Sequence, residues 1–165
     1  MKQKYRLTDE TIEFGGVTLY RIEALIDFGY VIAGDKGGFV QSEFNLSQEG
    51  GCWIYGNAMV YGEAQVYGDA MIADTAKVCG DVEIYGNAAI FGDAIIKSIR
   101  DYIVFKNWWS SGRYFTWTRS NNMWKVGCFY GTGEELITKA FLDSRESGIA
   151  YRRVVRYVNS ILTNK

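Results

Sequence analysis

The sequence predicts a mainly β protein: a short triangular parallel β-solenoid of about three coils, preceded by strands and followed by an α+β cap. Three observations carry this. An aliphatic residue recurs every six positions from Ile54 to Ile96. Strand-like runs flank Gly15-Gly16 upstream. After Ser98 the period stops, and strand-like runs and amphipathic helical patterns replace it. The predicted divisions are 1–38, N-terminal strands that cap the solenoid; 39–97, the repeat; and 98–165, a cap of three strands and two helices.

Thr11–Phe14 and Val17–Ile22 read as strands joined by a two-residue hairpin turn at Gly15-Gly16. Their expected role is to cover the first coil. The following Gly34-Asp35-Lys36-Gly37-Gly38 lacks phosphate-loop spacing and leads into a repeat rather than a helix, so it reads as a tight connection.

The repeat reads [IV]-Y-G-[ND]-A-x. Its aliphatic positions are Ile54, Val60, Val66, Ile72, Val78, Ile84, Ile90 and Ile96, and a small residue follows four later, as at Ala58, Ala64 and Ala70. A period of six fits neither an amphipathic helix nor a free strand. It fits a short flat strand plus a corner, with Gly and Asn/Asp tolerating the corner dihedrals. Three such units close a coil, so residues 18 apart stack. Upstream, Val40, Leu46 and Cys52 keep the phase of the small-residue position, so the solenoid is expected from Phe39 to Ile96.

Lys4-Tyr5-Arg6-Leu7, Gly37-Gly38-Phe39-Val40 and the run Leu46–Tyr55 resemble the start of YdcK-like hexapeptide-repeat proteins of bacteria and phages, whose activity is not established. The resemblance covers roughly residues 4–96. It implies a left-handed parallel β-helix, a phage or prophage context and a homotrimer. The chain departs from the family in its few coils and distinct C-terminal part. Acyltransferases and carbonic anhydrases of this fold rely on His, as base or zinc ligand. This chain has no His, so neither role carries over to any position.

The residues after the aliphatics point outward. Tyr55, Ala73 and Phe91 share one face, Tyr61 and Cys79 a second, and Tyr67 and Tyr85 a third. Tyr55, Tyr61, Tyr67, Tyr85 and Phe91 are therefore candidate interface residues. Such ladders support neighbouring coils, lie under the flanking segments, or form a subunit interface. A carbohydrate or nucleobase platform is a further reading.

In the cap, Tyr102–Phe105, Tyr114–Thr118 and Met123–Tyr130 read as strands, with Thr116 and Thr118 alternating with Phe115 and Trp117 as on a strand buried on one face. Thr132-Gly133-Glu134-Glu135 is a capping box that opens a helix. A second helix is expected from about Ser147, with Tyr151, Val154, Val155, Val158, Ile161 and Leu162 as its apolar stripe.

The net charge of −1 hides an asymmetry. Residues 40–96 carry one basic and eight acidic side chains, and residues 97–165 carry twelve basic and five acidic. Either the two parts attract each other, within a chain or between subunits, or the cap meets an anionic partner. Trp108, Trp109, Arg152, Arg153 and Arg156 are the candidate partner-binding residues, because cations interleaved with aromatics suit phosphates and bases. The competing reading places the Trp residues in the cap core and the Arg residues against the acidic solenoid.

The three cysteines form no C-x-x-C, so no zinc site is expected, and a reduced cytoplasmic setting fits best. No secretory h-region or membrane-spanning run is expected. Glu63, Asp69, Asp81, Glu83 and Asp93 occupy positions that corners and solvated faces already explain, and nothing near Cys79 suggests a lowered thiol pKa. No catalytic residue, metal or cofactor is assigned. The sequence therefore predicts a non-enzymatic, homo-oligomeric binding or scaffold protein that meets a host protein, an anionic ligand or nucleic acid, and no membrane. The alternatives are an anti-defence inhibitor, whose acidic face imitates nucleic acid or whose cap takes a nucleotide signal, and a divergent hexapeptide-repeat enzyme without the usual His.

Overall fold

A computed structural model describes residues 2–163. Strands β1 (Tyr5–Phe14) and β2 (Val17–Ala24) form the expected hairpin, which is longer than predicted. Gly15 and Gly16 turn it with φ of 58° and 83°, values open to glycine at little cost. β2 then pairs antiparallel with β3 (Lys36–Val40), which starts the solenoid. The hairpin thus prolongs one solenoid face.

Eight two-residue strands follow: β4 (Trp53–Ile54), β5 (Met59–Val60), β6 (Gln65–Val66), β7 (Met71–Ile72), β8 (Lys77–Val78), β9 (Glu83–Ile84), β10 (Ala89–Ile90) and β11 (Ile95–Ile96). They stack in three parallel columns, β3-β5-β8-β11, β4-β7-β10 and β6-β9, giving about 3 turns of solenoid. Trp53 pairs with Met71 and Met71 with Ala89, the 18-residue spacing expected. Coils are joined by bonds such as Met59 N–H to Ala76 O and Met71 N–H to Ala88 O, both 2.9 Å. The aliphatic and alanine positions are buried and fill the interior.

Two corners are informative. Asp74 stands in the column of Gly56 and Gly92 and adopts φ 59°. Its carboxylate accepts the Gly92 N–H at 2.8 Å, which offsets the cost of that conformation. The first coil departs from the rule, since Val40 pairs with Val60 and Leu46 with Val66, offsets of 20. Val40 and Leu46 therefore occupy the aliphatic register, not the small-residue register expected. The two extra residues lie in the turn before Cys52, where Gly50 has φ 72°. Cys52 itself keeps the small-residue position.

Lys4 closes the open end of this enlarged coil. It is buried, and its Nζ donates to the carbonyls of Glu49, Gly50 and Cys52 at 3.3, 3.2 and 3.0 Å. Tyr5 donates its hydroxyl to Leu46 O at 2.6 Å and meets Trp53 edge-on. The N-terminal strands lie against the first coil.

At the other end lies a four-stranded antiparallel sheet in chain order: β12 (Tyr102–Lys106), β13 (Tyr114–Thr118), β14 (Met123–Val126) and β15 (Phe129–Gly131). The three strands predicted are four. The run 123–130 is a hairpin, turned at Gly127 with φ 54°. Helix α1 (Gly133–Asp143) starts at the predicted capping box, with Thr132 Oγ1 accepting Glu135 N–H and Glu135 Oε2 accepting Thr132 N–H. Helix α2 (Arg145–Thr163) begins two residues earlier than expected. Phe115, Trp117, Trp124, Leu136, Val155 and Val158 form a second core.

β13 is buried on both faces, not one. Phe115 and Trp117 face the helices, while Thr116 faces the last coil, where its Oγ1 accepts Ala89 N–H at 3.0 Å. Ile95 N–H to Ser120 Oγ (2.7 Å), Tyr102 hydroxyl to Glu83 O (2.8 Å) and Asn121 Nδ2 to Asp93 Oδ1 (3.0 Å) add to this junction.

Lys4→Ala removes three carbonyl partners from a buried site and is expected to cost about 2–4 kcal/mol in urea unfolding. Burial pushes the Tyr102 hydroxyl up to about 12 from 10.0. Its contribution to stability is therefore complete below pH 10 and lost as the pH rises towards 12. Tyr102→Phe should flatten the fall in melting temperature across that window.

Candidate functional site

The outward aromatics fall into three different environments. Tyr61 meets Phe14 of β1 edge-on at 5.7 Å, and burial, followed by the neighbouring Cys79 sulfur, raises its hydroxyl to about 12. Tyr55 is half-buried against the solenoid core, and burial raises its pKa as well. Phe91 lies under Lys125 of the cap, whose Nζ is 4.4 Å from the ring centre. Tyr67 and Tyr85 differ from these. They stack at 5.3 Å with an interplanar angle of 9°, Tyr67 donates to Glu83 Oε2 at 2.7 Å, and Tyr85 is 53% exposed. The five residues therefore do not form one continuous surface, because the flanking segments cover three of them.

The loop between β12 and β13 carries Trp108 and Trp109. Trp108 is 81% exposed. Trp109 turns inward and meets Tyr151 edge-on at 4.8 Å, and its Nε1 is buried without a hydrogen-bond partner. Between this loop and the start of α2 runs a groove of about 540 Å³, walled by Trp108, Trp109, Arg145, Glu146, Ile149, Arg153 and Val154. Arg145, Ile149 and Arg153 are four residues apart, so they share one helix face.

Of the predicted binding residues, the groove gathers Trp108, Trp109 and Arg153. Arg152 lies instead over the Phe141 ring at 5.4 Å, and exposed Arg156 is not among the residues that line the groove. Ile149 was not singled out. The i, i+4, i+8 spacing from Arg153 was the available signal, but it identifies a site only once the Trp loop is known to lie opposite.

Among the described residues the ion pairs are Arg6–Glu23, Arg21–Glu10, Lys36–Glu10 and Lys139–Asp143. None joins an acid of residues 40–96 to a cation of the cap. The expected attraction between the two parts is not realised as contact pairing among the described residues. Arg21 and Lys36 together hold the Glu10 carboxyl below its usual range. No group of three or more Cys, Asp or Glu able to hold a metal occurs among the described residues, and no helix there is long and apolar enough to cross a membrane.

No protein-family model matches the chain. One stretch is 44% identical over 61 residues to a protein of Escherichia coli (strain K12) described as "Uncharacterized acetyltransferase YdcK". That stretch is 32% of this chain and 19% of the relative's length. The likeness fits a hexapeptide-repeat solenoid.

Cys128 is exposed, while Cys52 is buried and its thiol is pushed up by that burial despite the nearby Lys4 ammonium. Ellman's reagent should label Cys128 rapidly in the native protein and reach Cys52 only on unfolding, as read by peptide mapping.

Proposed function

We propose that the protein is a non-enzymatic binding protein, and that its cap groove takes a nucleotide or single-stranded nucleic acid. The observation that supports this reading is the placement of a largely exposed indole, Trp108, beside two guanidinium groups that have no ion-pair partner among the described residues. The indole offers a stacking surface for a base, and Arg145 and Arg153 offer charge for phosphate. The rigid solenoid positions the cap, and we assign the protein a homotrimer built through the solenoid.

A titration of tryptophan fluorescence with oligothymidylate tests the groove. Trp108→Ala should weaken binding about tenfold. Arg153→Ala should lower the salt slope by about one. Absence of binding by the parent protein at low salt would end this reading. Native mass spectrometry should give a trimer.

The partial likeness to a protein described as an acetyltransferase favours a second reading, an acyl-transfer enzyme. It would work without His, leaving a carboxylate or a thiol as its base. Stabilisation by acetyl-coenzyme A in thermal unfolding, together with transfer of labelled acetyl to an amine, would select it over the binding reading.

A further inference from the structure

We propose that the outer edge of β12 receives an extended, lysine- or arginine-rich segment of a partner protein as an added strand. This surface is separate from the Trp108 groove. β12 is the edge of the four-stranded sheet and pairs only with β13. The bonds Arg119 N–H to Asp101 O and Asn107 N–H to Arg113 O fix its hydrogen-bonding phase. By antiparallel alternation, Ile103 and Phe105 turn their backbone groups towards β13. Tyr102, Val104 and Lys106 turn theirs outward, and no backbone bond to these outward groups occurs among the described residues.

The two other long-sheet edges outside the solenoid columns, β1 and β15, carry protection. β1 has a register break between Leu7 and Thr11 and bears Glu10 and Glu13. β15 lies beside α1, with Gly131 close to the Glu135 side chain. β12 has neither device. Its register runs unbroken across all five pairs, it contains no proline, and its one charge is Lys106 at the end.

A cleft of about 740 Å³ runs along this edge. The solenoid contributes Asp81, Glu83 and Tyr85 to its wall, and the cap contributes Ile99, Val104 and Tyr114. Asp81 and Glu83 have no ion-pair partner among the described residues. Main-chain bonds to Val104 would anchor the segment, the apolar walls would take one side-chain set, and the carboxylates would select cations. That charge pattern is what commits the edge to a basic segment.

The test uses the full chain and a short synthetic peptide of alternating lysine and valine, with its fully N-methylated counterpart of equal charge. The parent peptide should bind in calorimetry and slow hydrogen exchange of the Val104 and Lys106 amides about tenfold or more. The methylated peptide should not bind, and Asp81→Asn with Glu83→Gln should weaken the parent peptide about tenfold at low salt. Val104→Pro removes an outward donor while sparing the β13 ladder, and should abolish binding with circular dichroism unchanged. Equal binding of the methylated peptide would overturn the proposal. So would unchanged exchange at Val104, or protection of that amide in the free protein by a second copy.

Discussion

Each coil of the solenoid must return to the same position after three sides, and most of the molecule follows from that requirement. Short flat sides bring the aliphatics of successive coils into contact, and the ladder bonds between coils form only when the sides superpose. The corners must therefore be tight, which places glycine at positive φ or, at position 74, an aspartate held by the next coil's amide. Where the first coil is two residues longer, its turn carbonyls converge without strand partners. The buried ammonium of Lys4 supplies the missing donors.

The two ends are closed by different means. At the start, a hairpin continues one face and drops Tyr5 and Lys4 into the opening. At the finish, a sheet docks through hydrogen bonds that Thr116 and Ser120 accept and Tyr102 donates, with Asn121 donating to the Asp93 carboxylate and Lys125 lying over Phe91. Among the described residues no ion pair joins the two parts, so the acidic solenoid and the basic cap are not neutralised by each other there. The acidic and basic parts make the molecule dipolar, so its long-range encounters depend on ionic strength.

The repeat was legible because the six-residue period is a direct image of the coil, and the capping box because it is local in sequence. The length of the first coil was not, since Val40, Leu46 and Cys52 keep a spacing of six and conceal a change of register. Gly127 lies inside a run that reads as one strand, and only the pairing of β15 on β14 shows it as a turn. The buried threonine face of β13 depends on a partner surface more than twenty residues away in sequence. The groove is legible in half: the tryptophans announce themselves by type, but the choice of Arg145 and Arg153 over Arg152 and Arg156 depends on how α2 rotates against α1 and the sheet.

A triangular coil also acts as an index. Six residues carry the chain through one third of a turn, and eighteen carry it up one coil. An insertion of eighteen residues between two corners would lengthen the shaft and leave the cap above the same face. An insertion of six would swing the whole cap to the neighbouring face, exchanging the surface beside β12 without altering a residue of either. The orientation of the cap about the shaft is thus encoded in a residue count, and lineages that gain or lose single hexads would re-aim the cap while conserving both cores.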